Sequence, residues 1–184
     1  MSIITLETPR LLLRGWTEQD KALFFEMNSS PEVMRYFPFV LNKSQSDHFM
    51  DTIMARFASQ GGWGLWAVEL KSTHELIGFV GLNIPEYQFP FSPCTEIGWR
   101  LRPQYWRQGY TIEAAQAAIQ FAFNQLKLNE IVAFTAVANT PSEGVMKKLG
   151  MTKAPENFAH PALPEGHWLQ EHVLYRLQNP YLSN

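Results

Sequence analysis

Cysteine is almost missing from this chain: Cys94 is the one thiol among 184 residues. An internal disulfide framework and a thiolate metal cluster are thereby excluded, and Cys94 reads as a small hydrophobe with an inert thiol. An excess of one charge sign is missing too. Fifteen Lys and Arg stand against 17 Asp and Glu, a formal net charge of −2, whereas a nonspecific nucleic-acid binder draws its affinity from many phosphate-neutralising cations. No apolar run approaches the roughly 20 residues needed to cross a bilayer; the longest, around Ile131–Ala138, is interrupted by Thr135 and has strand length. Glu7 and Arg10 break up the apolar core that a signal peptide requires. Internal repeats, Gly/Ser linkers and low-complexity tracts are absent. The chain also lacks GxxxxGK[ST] and GxGxxG, which disfavours a nucleotide-hydrolysing P-loop and a dinucleotide fold.

What is present is apolar and aromatic. Hydrophobic residues make up 46% of the chain, with 13 Phe, 6 Trp and 6 Tyr. A disordered chain is excluded, and a chain of this length buries roughly 70% of its unfolded surface without staples. The expectation is one soluble, cytoplasmic domain over 1–184, with neither nucleic acid nor membrane as a partner.

Local patterns alternate between strand and helix. Leu11–Trp16 reads as a strand after Pro9. Thr17 caps a helix with acidic first-turn residues, Pro31 opens a second short helix, and Ser44 or Ser46 caps a third carrying Phe49, Ile53 and Phe57. Gly61-Gly62 ends that helix, and a hairpin of 65–70 and 76–84 follows. In the strand 95–102, Ile97, Trp99 and Leu101 share one face while Glu96, Gly98 and Arg100 take the other. Ile112, Ala115, Ile119, Ala122 and Leu126 mark a four-turn helix. Ile131–Ala138 is a strand covered on both faces. Thr140-Pro141-Ser142-Glu143 fits a capping box with proline in the first turn. Short strands near 151–153 and 173–177 close a mixed α/β sheet with helices on both sides.

Two segments carry chemistry. Trp106-Arg107-Gln108-Gly109-Tyr110-Thr111 joins a strand to the long helix. Unpaired amides at a helix start, with glycine admitting close approach and Arg107 adding a cation, form an anion site. An ordinary turn with a surface arginine has the same sequence. At the second segment Asn139 leaves a strand just before a capped helix; it serves a local turn equally well, and Ser142 equally well a helix's first turn. Three loop histidines, 160, 167 and 172, do not match standard zinc spacing, so no metal is expected; His160 and His167 read as substrate contacts.

The order and spacing of these pieces resemble the GNAT superfamily of acetyl-CoA-dependent N-acetyltransferases, in its RimJ/RimL-like branch. The resemblance rests on Glu96-Ile97-Gly98-Trp99-Arg100-Leu101 and on Tyr105-Trp106-Arg107-Gln108-Gly109-Tyr110-Thr111-Ile112-Glu113-Ala114. Asn139-Thr140-Pro141-Ser142, Lys147-Lys148-Leu149-Gly150-Met151 and the opening Leu6-Glu7-Thr8-Pro9-Arg10-Leu11-Leu12-Leu13-Arg14 extend it over essentially the whole chain. It implies a mixed, mostly antiparallel sheet with a splay between the fourth and fifth strands, 95–102 and 131–138. It also implies that amides from Trp106 and Arg107 through Thr111 hold the pyrophosphate of acetyl-CoA, that the backbone of Trp99, Arg100 and Leu101 pairs with the pantetheine arm, and that Asn139 bonds the same arm. The branch often forms homodimers. The phosphate loop departs from the family's usual pattern at Trp106 and Thr111, and Met146 stands where many members carry a tyrosine acid.

The resemblance implies direct attack by a primary amine, either a peptide N-terminus or a small molecule, with no acyl-enzyme. An unperturbed thiol has pKa about 8.5 and leaves readily as thiolate, whereas an α-amine with pKa about 8 is only about a tenth neutral at pH 7. A base therefore matters more than an acid. Glu96 is the expected base, through water, its loss felt most at low pH; Ser142 is the expected acid. Phe37 and Tyr87, with Phe39, Trp63, Trp66, Phe89 and Trp168, are expected to line the acceptor pocket. A noncatalytic acyl-CoA sensor is the alternative function.

Overall fold

The computed structural model describes residues 2–182. Its centre is β4 (Glu75–Asn83), seven of whose nine residues are buried, as a strand covered on both faces must be. On one side β4 pairs antiparallel with β3 (Leu65–Leu70), then β2 (Leu11–Arg14) and β1 (Leu6–Glu7). On the other it pairs antiparallel with β5 (Glu96–Leu101). Beyond β5 come β6 (Glu130–Ala136), β9 (Glu171–Gln178) and the two-residue strands β7 (Thr152–Lys153) and β8 (Phe158–Ala159), both on β9. The β5–β6 contact is parallel and holds at a single register, Glu96 opposite Val132. Past that point the strands part. This is the anticipated splay; β1 moves it one strand along in the count.

Helices cover both faces. Phe79 of β4 packs against Phe24 of α1 (Lys21–Ser29) and Phe49 of α2 (Lys43–Ser59). Trp66 lies opposite Val80, one residue on and therefore on the other face. It meets Phe121 of α3 (Tyr110–Asn124) edge-on at 5.5 Å. The fully buried Ala114, Ala115, Ala118 and Ala122 let α3 lie close to the sheet. The last helix, α4 (Thr140–Lys148), follows β6.

Several local expectations need correction. Residues 31–36 form successive turns rather than a helix, with the isolated bonds Met34 N–H to Ser30 and Phe37 N–H to Met34, both at 2.9 Å. Asn42 caps α2, because Asn42 and Gln45 exchange reciprocal bonds of 2.9 Å; Ser46 is buried instead, taking a bond from Asn28. The residues after Thr17 start with a 3₁₀ turn before α1. The strand from Leu11 stops at Arg14, and Trp16 turns into the core to donate to the Leu65 carbonyl at 2.7 Å. Asn139, not Thr140, caps α4 through the Ser142 N–H.

The backbones at the start of β3 and the end of β4 pass too close at Gly81 for a side chain. A Cβ on Gly81 would stand 2.1 Å from the Gly64 carbonyl oxygen and 2.8 Å from the Leu65 Cα, main-chain atoms that cannot swing aside. Gly81→Ala is expected to lower stability by about 2–3 kcal/mol in urea unfolding. Gly144→Ala, in the open on α4, is expected to raise it by about 0.5–1 kcal/mol.

Candidate active site

The site begins where β5 runs out. Residues 103–105 make one 3₁₀ turn, and the Trp106 indole N–H donates to the Leu101 carbonyl at 2.8 Å, folding the loop back on its strand. Arg107 (φ 59°) and Gly109 (φ 81°) are both left-handed. A left-handed residue leading into a right-handed helix, as Gly109 does before Tyr110, turns successive N–H groups to one side, an anion-binding concavity. The first helical bond of α3 runs from Glu113 N–H to Gly109, so the amides of Tyr110, Thr111 and Ile112 have no helical acceptor.

An ion-pair clamp unforeseen in the sequence holds this loop. The Glu113 carboxylate accepts from the Thr8 hydroxyl (2.6 Å), the Arg10 N–H (2.9 Å) and the Arg10 Nε (2.6 Å). Arg10 also donates to the Gln108 carbonyl at 3.1 Å and lies 4.2 Å over the Tyr110 ring. Burial raises the pKa of Glu113, but these donors outweigh it and hold the carboxyl below its ordinary value. The only sequence signal was an arginine after Thr-Pro and a glutamate in a helix's first turn, over 100 residues apart.

The edge of β5 faces the splay. Val132 N–H donates to the Thr95 carbonyl, and on the opposite side Arg102 N–H donates to Ile77. Peptide groups alternate along a strand, so the main-chain groups of Trp99 and Leu101 face the splay while those of Arg100 belong to the β4 ladder. The expected run of three backbone contacts thus reduces to two, and the Leu101 carbonyl already receives Trp106. Across the gap, Asn139 is nearly buried; its amide donates to Thr135 Oγ1 at 2.8 Å and its oxygen takes the Ser142 N–H at 3.3 Å. Ser142 is half-buried in the first turn of α4.

Glu96, Gly98 and Arg100 share the face covered by α1 and α2. Burial, opposed by the Asn83 amide at 3.4 Å and by the charge of Arg56, pushes the Glu96 carboxyl up to about 7. Arg56 in turn donates to Asn83 Oδ1 at 2.5 Å. Arg100 donates to Asn28 Oδ1 at 2.7 Å, lies over the rings of Phe37, Phe79 and Phe49, and has no carboxylate partner. Burial lowers its pKa to about 10.

The remaining predicted contacts do not gather in one place. Phe37 is exposed above Arg100, whereas Tyr87, also exposed, meets His160 at 5.5 Å on the far side of the splay. His160 packs 4.8 Å from His172 in an apolar nest with Phe89, Phe134 and Phe158. Burial pushes His160 down to about 4. His167 stands apart, stacked on the exposed Trp168. Trp66 and Phe89 belong to the buried interior, not to a pocket wall. Among the described residues no three His, Cys, Asp or Glu side chains come together as a metal ion requires.

Comparison with known proteins decides the family. Residues 10–152 match the model of an acetyltransferase (GNAT) domain. The chain belongs to the GNAT acetyltransferases. It is 32% identical over 178 residues to the uncharacterized N-acetyltransferase YnaD of Bacillus subtilis, covering 96% of this chain and 98% of that one. It is 29% identical over 160 residues to the FsC-acetyl coenzyme A-N(2)-transacetylase of Aspergillus fumigatus, covering 84% and 67%. A GNAT-family acetyltransferase structure from Bacillus anthracis superposes with a TM-score of 0.78 at 28% identity, over 96% of this chain and 99% of that one.

Met146 supplies no acid here. Met146 is buried in the core at 2% exposure, and a thioether has no proton to give. The loop conformation is testable by stability alone. A non-glycine residue in the left-handed region costs roughly 1–2 kcal/mol, and a Cβ on Gly109 would also come within 3.4 Å of the Arg10 guanidinium. Gly109→Ala is therefore expected to lower unfolding free energy by about 1–2 kcal/mol. Arg107→Gly, already left-handed, is expected to stay within about 0.5 kcal/mol of the parent, because relief of strain offsets the added freedom of the unfolded chain.

Proposed function

We propose that this chain transfers the acetyl group of acetyl-CoA to a primary amine by direct attack, as a cytoplasmic enzyme of one domain in the RimJ/RimL-like branch. The observation that carries the reading is the unpaired edge of β5, lying between a loop of aimed amides at one end and the raised-pKa carboxylate of Glu96 at the other. The residues fit the cosubstrate. Amides 110–112, with Arg107 beside them, suit a pyrophosphate. Trp99 offers its carbonyl, and Leu101 its N–H, to an amide-bearing arm laid along the strand edge. The relative from Aspergillus fumigatus carries acetyl coenzyme A in its name, which supports the same cosubstrate here.

When bound, acetyl-CoA supplies an acetyl group activated as a thioester. The chain's own residues do the rest. Glu96 takes the proton of the incoming ammonium, directly or through a water, so that nitrogen presents its lone pair. The nitrogen–carbon bond forms, the carbon–sulfur bond breaks, and the electron pair leaves on sulfur. The Trp99 N–H, facing the splay, is placed to bond the oxygen that becomes negative in between. The nitrogen's second proton, shed as the amide forms, is relayed through the Ser142 hydroxyl to the thiolate, which regenerates the serine; Met146 cannot do this.

The pKa of Glu96 also revises where the base is felt. A carboxyl raised to about 7 is protonated and idle below that pH and active above it. The rate is expected to rise through pH 7, and Glu96→Gln to cost about 10²-fold or more and leave only the rise set by the acceptor's own ionisation. The loss should be greatest between pH 7 and the acceptor's own pKa, not at low pH. Thiol release measured from pH 5.5 to 9 with an amine panel tests this; an unchanged profile in the variant rejects Glu96 as the base. Tight acetyl-CoA binding without acceptor-dependent release would favour a sensor over an enzyme.

A further inference from the structure

Arg100 is a largely buried charge with no carboxylate partner. Its guanidinium sits among Phe37, Phe49 and Phe79, with centroid distances of 4.3, 5.8 and 5.2 Å. One nitrogen donates to the neutral amide oxygen of Asn28, and the buried Nε has no partner at all. Other arginines on this side behave differently. Arg14 is paired with Asp20 and Glu69, and Arg56 with Glu86; Arg102, whose Nε is also unpartnered, still holds Glu26 and Glu75, so what sets Arg100 apart is the lack of any carboxylate. A buried donor left unpaired costs roughly 1–3 kcal/mol, so its retention points to a partner that arrives from outside.

The surroundings say where that partner lies. Arg100 is four residues from Glu96 on the same strand face, about 13 Å along β5 at the usual rise. Gly98 stands between them, and a Cβ built there meets nothing within 4 Å. The strand therefore offers an open trough with a carboxylate at one end and a guanidinium at the other. The trough therefore suits a molecule with a cationic and an anionic group at its two ends.

We propose that Arg100 is a specificity-determining residue that binds a carboxylate carried by the acceptor, so that the substrate class is amino acids and other amines that also bear a carboxylate. This rests on the acetyl-transfer reading above. The fork of Arg100, with its free Nε, receives the carboxylate, while the amine points along Gly98 toward Glu96. Phe37, exposed and stacked on the guanidinium, closes the outer side of the trough and strengthens the pairing by keeping water away.

The test uses matched acceptors: free amino acids, the corresponding amino acid amides, and the corresponding decarboxylated amines, each with acetyl-CoA and read as thiol release. The parent is expected to prefer the carboxylate member by about 10–100-fold in kcat/KM, the range set by a charge-assisted hydrogen bond. Arg100→Gln should erase the preference by lowering kcat/KM for the carboxylate member alone, with the KM for acetyl-CoA unchanged. Arg100→Lys should restore part of it. Unchanged acetyl-CoA affinity also shows that the variants fold. Turnover with no carboxylate preference, or a preference that survives Arg100→Gln, overturns this inference and leaves acetyl transfer standing. No release with any member of the panel overturns both.

Discussion

The site depends on one place where two neighbouring strands stop bonding. β5 and β6 run parallel and meet only at Glu96 and Val132, so beyond that point the β5 edge keeps main-chain groups free of any neighbouring strand, the Leu101 carbonyl being taken by Trp106. An exposed edge is normally a liability. Here it lies within the sheet, and the proposed binding of an amide-bearing cosubstrate rests on it. Everything chemical is arranged along that edge. The amide loop stands beyond its C-terminal end, Glu96 sits at the fork, and Gly98 and Arg100 line the face beneath. Had β6 stayed in register for two more residues, the amide loop and the carboxylate would have been separated by a closed sheet.

Much of this was legible in the sequence because it is local. The 3.6-residue spacing from Ile112 to Leu126 specified α3, and alternation through 96–101 put Glu96, Gly98 and Arg100 on one face. Those readings hold because period and burial agree. Failures occurred where local signals compete. Serines at 44 and 46 look like caps, but the Asn42–Gln45 pair satisfies two donors reciprocally and leaves Ser46 to be buried. Thr140 likewise lost to Asn139. Residues 31–36 carry apolar groups at helical spacing, yet a segment between two prolines has too few consecutive donors to propagate a helix.

The site was legible as composition and not as wiring. A turn with glycine before a helix signalled an anion site. That the turn is held by Thr8 and Arg10 could not be read, because a contact spanning over 100 residues leaves no periodic trace. The aromatic wall was overestimated for a related reason. Trp66 and Phe89 resemble pocket residues in sequence but lie in the interior, while the exposed Phe37 and Tyr87 sit at different ends of the site. Aromatic residues mark buried area and wet surface alike, and only the register of the sheet separates the two. The histidines divided in the same manner: His160 and His172 meet inside a hydrophobic nest, and His167 goes elsewhere.

Charge is handled locally throughout. With a net charge of −2, the molecule has no broad positive field to draw in an anionic cosubstrate, so attraction must come from dipoles and side chains fixed in place. That places a premium on rigidity at the loop. Arg107 occupies a left-handed conformation at a cost of roughly 1–2 kcal/mol, which persists only if its surroundings determine it more strongly. The Glu113 clamp provides that constraint, since Arg10 grips the carboxylate, the Gln108 carbonyl and the Tyr110 ring together. The same logic governs the sheet face, where burial moves Glu96 and Arg100 each toward neutrality because neither is paired with the other. A charge kept apart from its natural partner inside one fold is available to a group that comes from outside it.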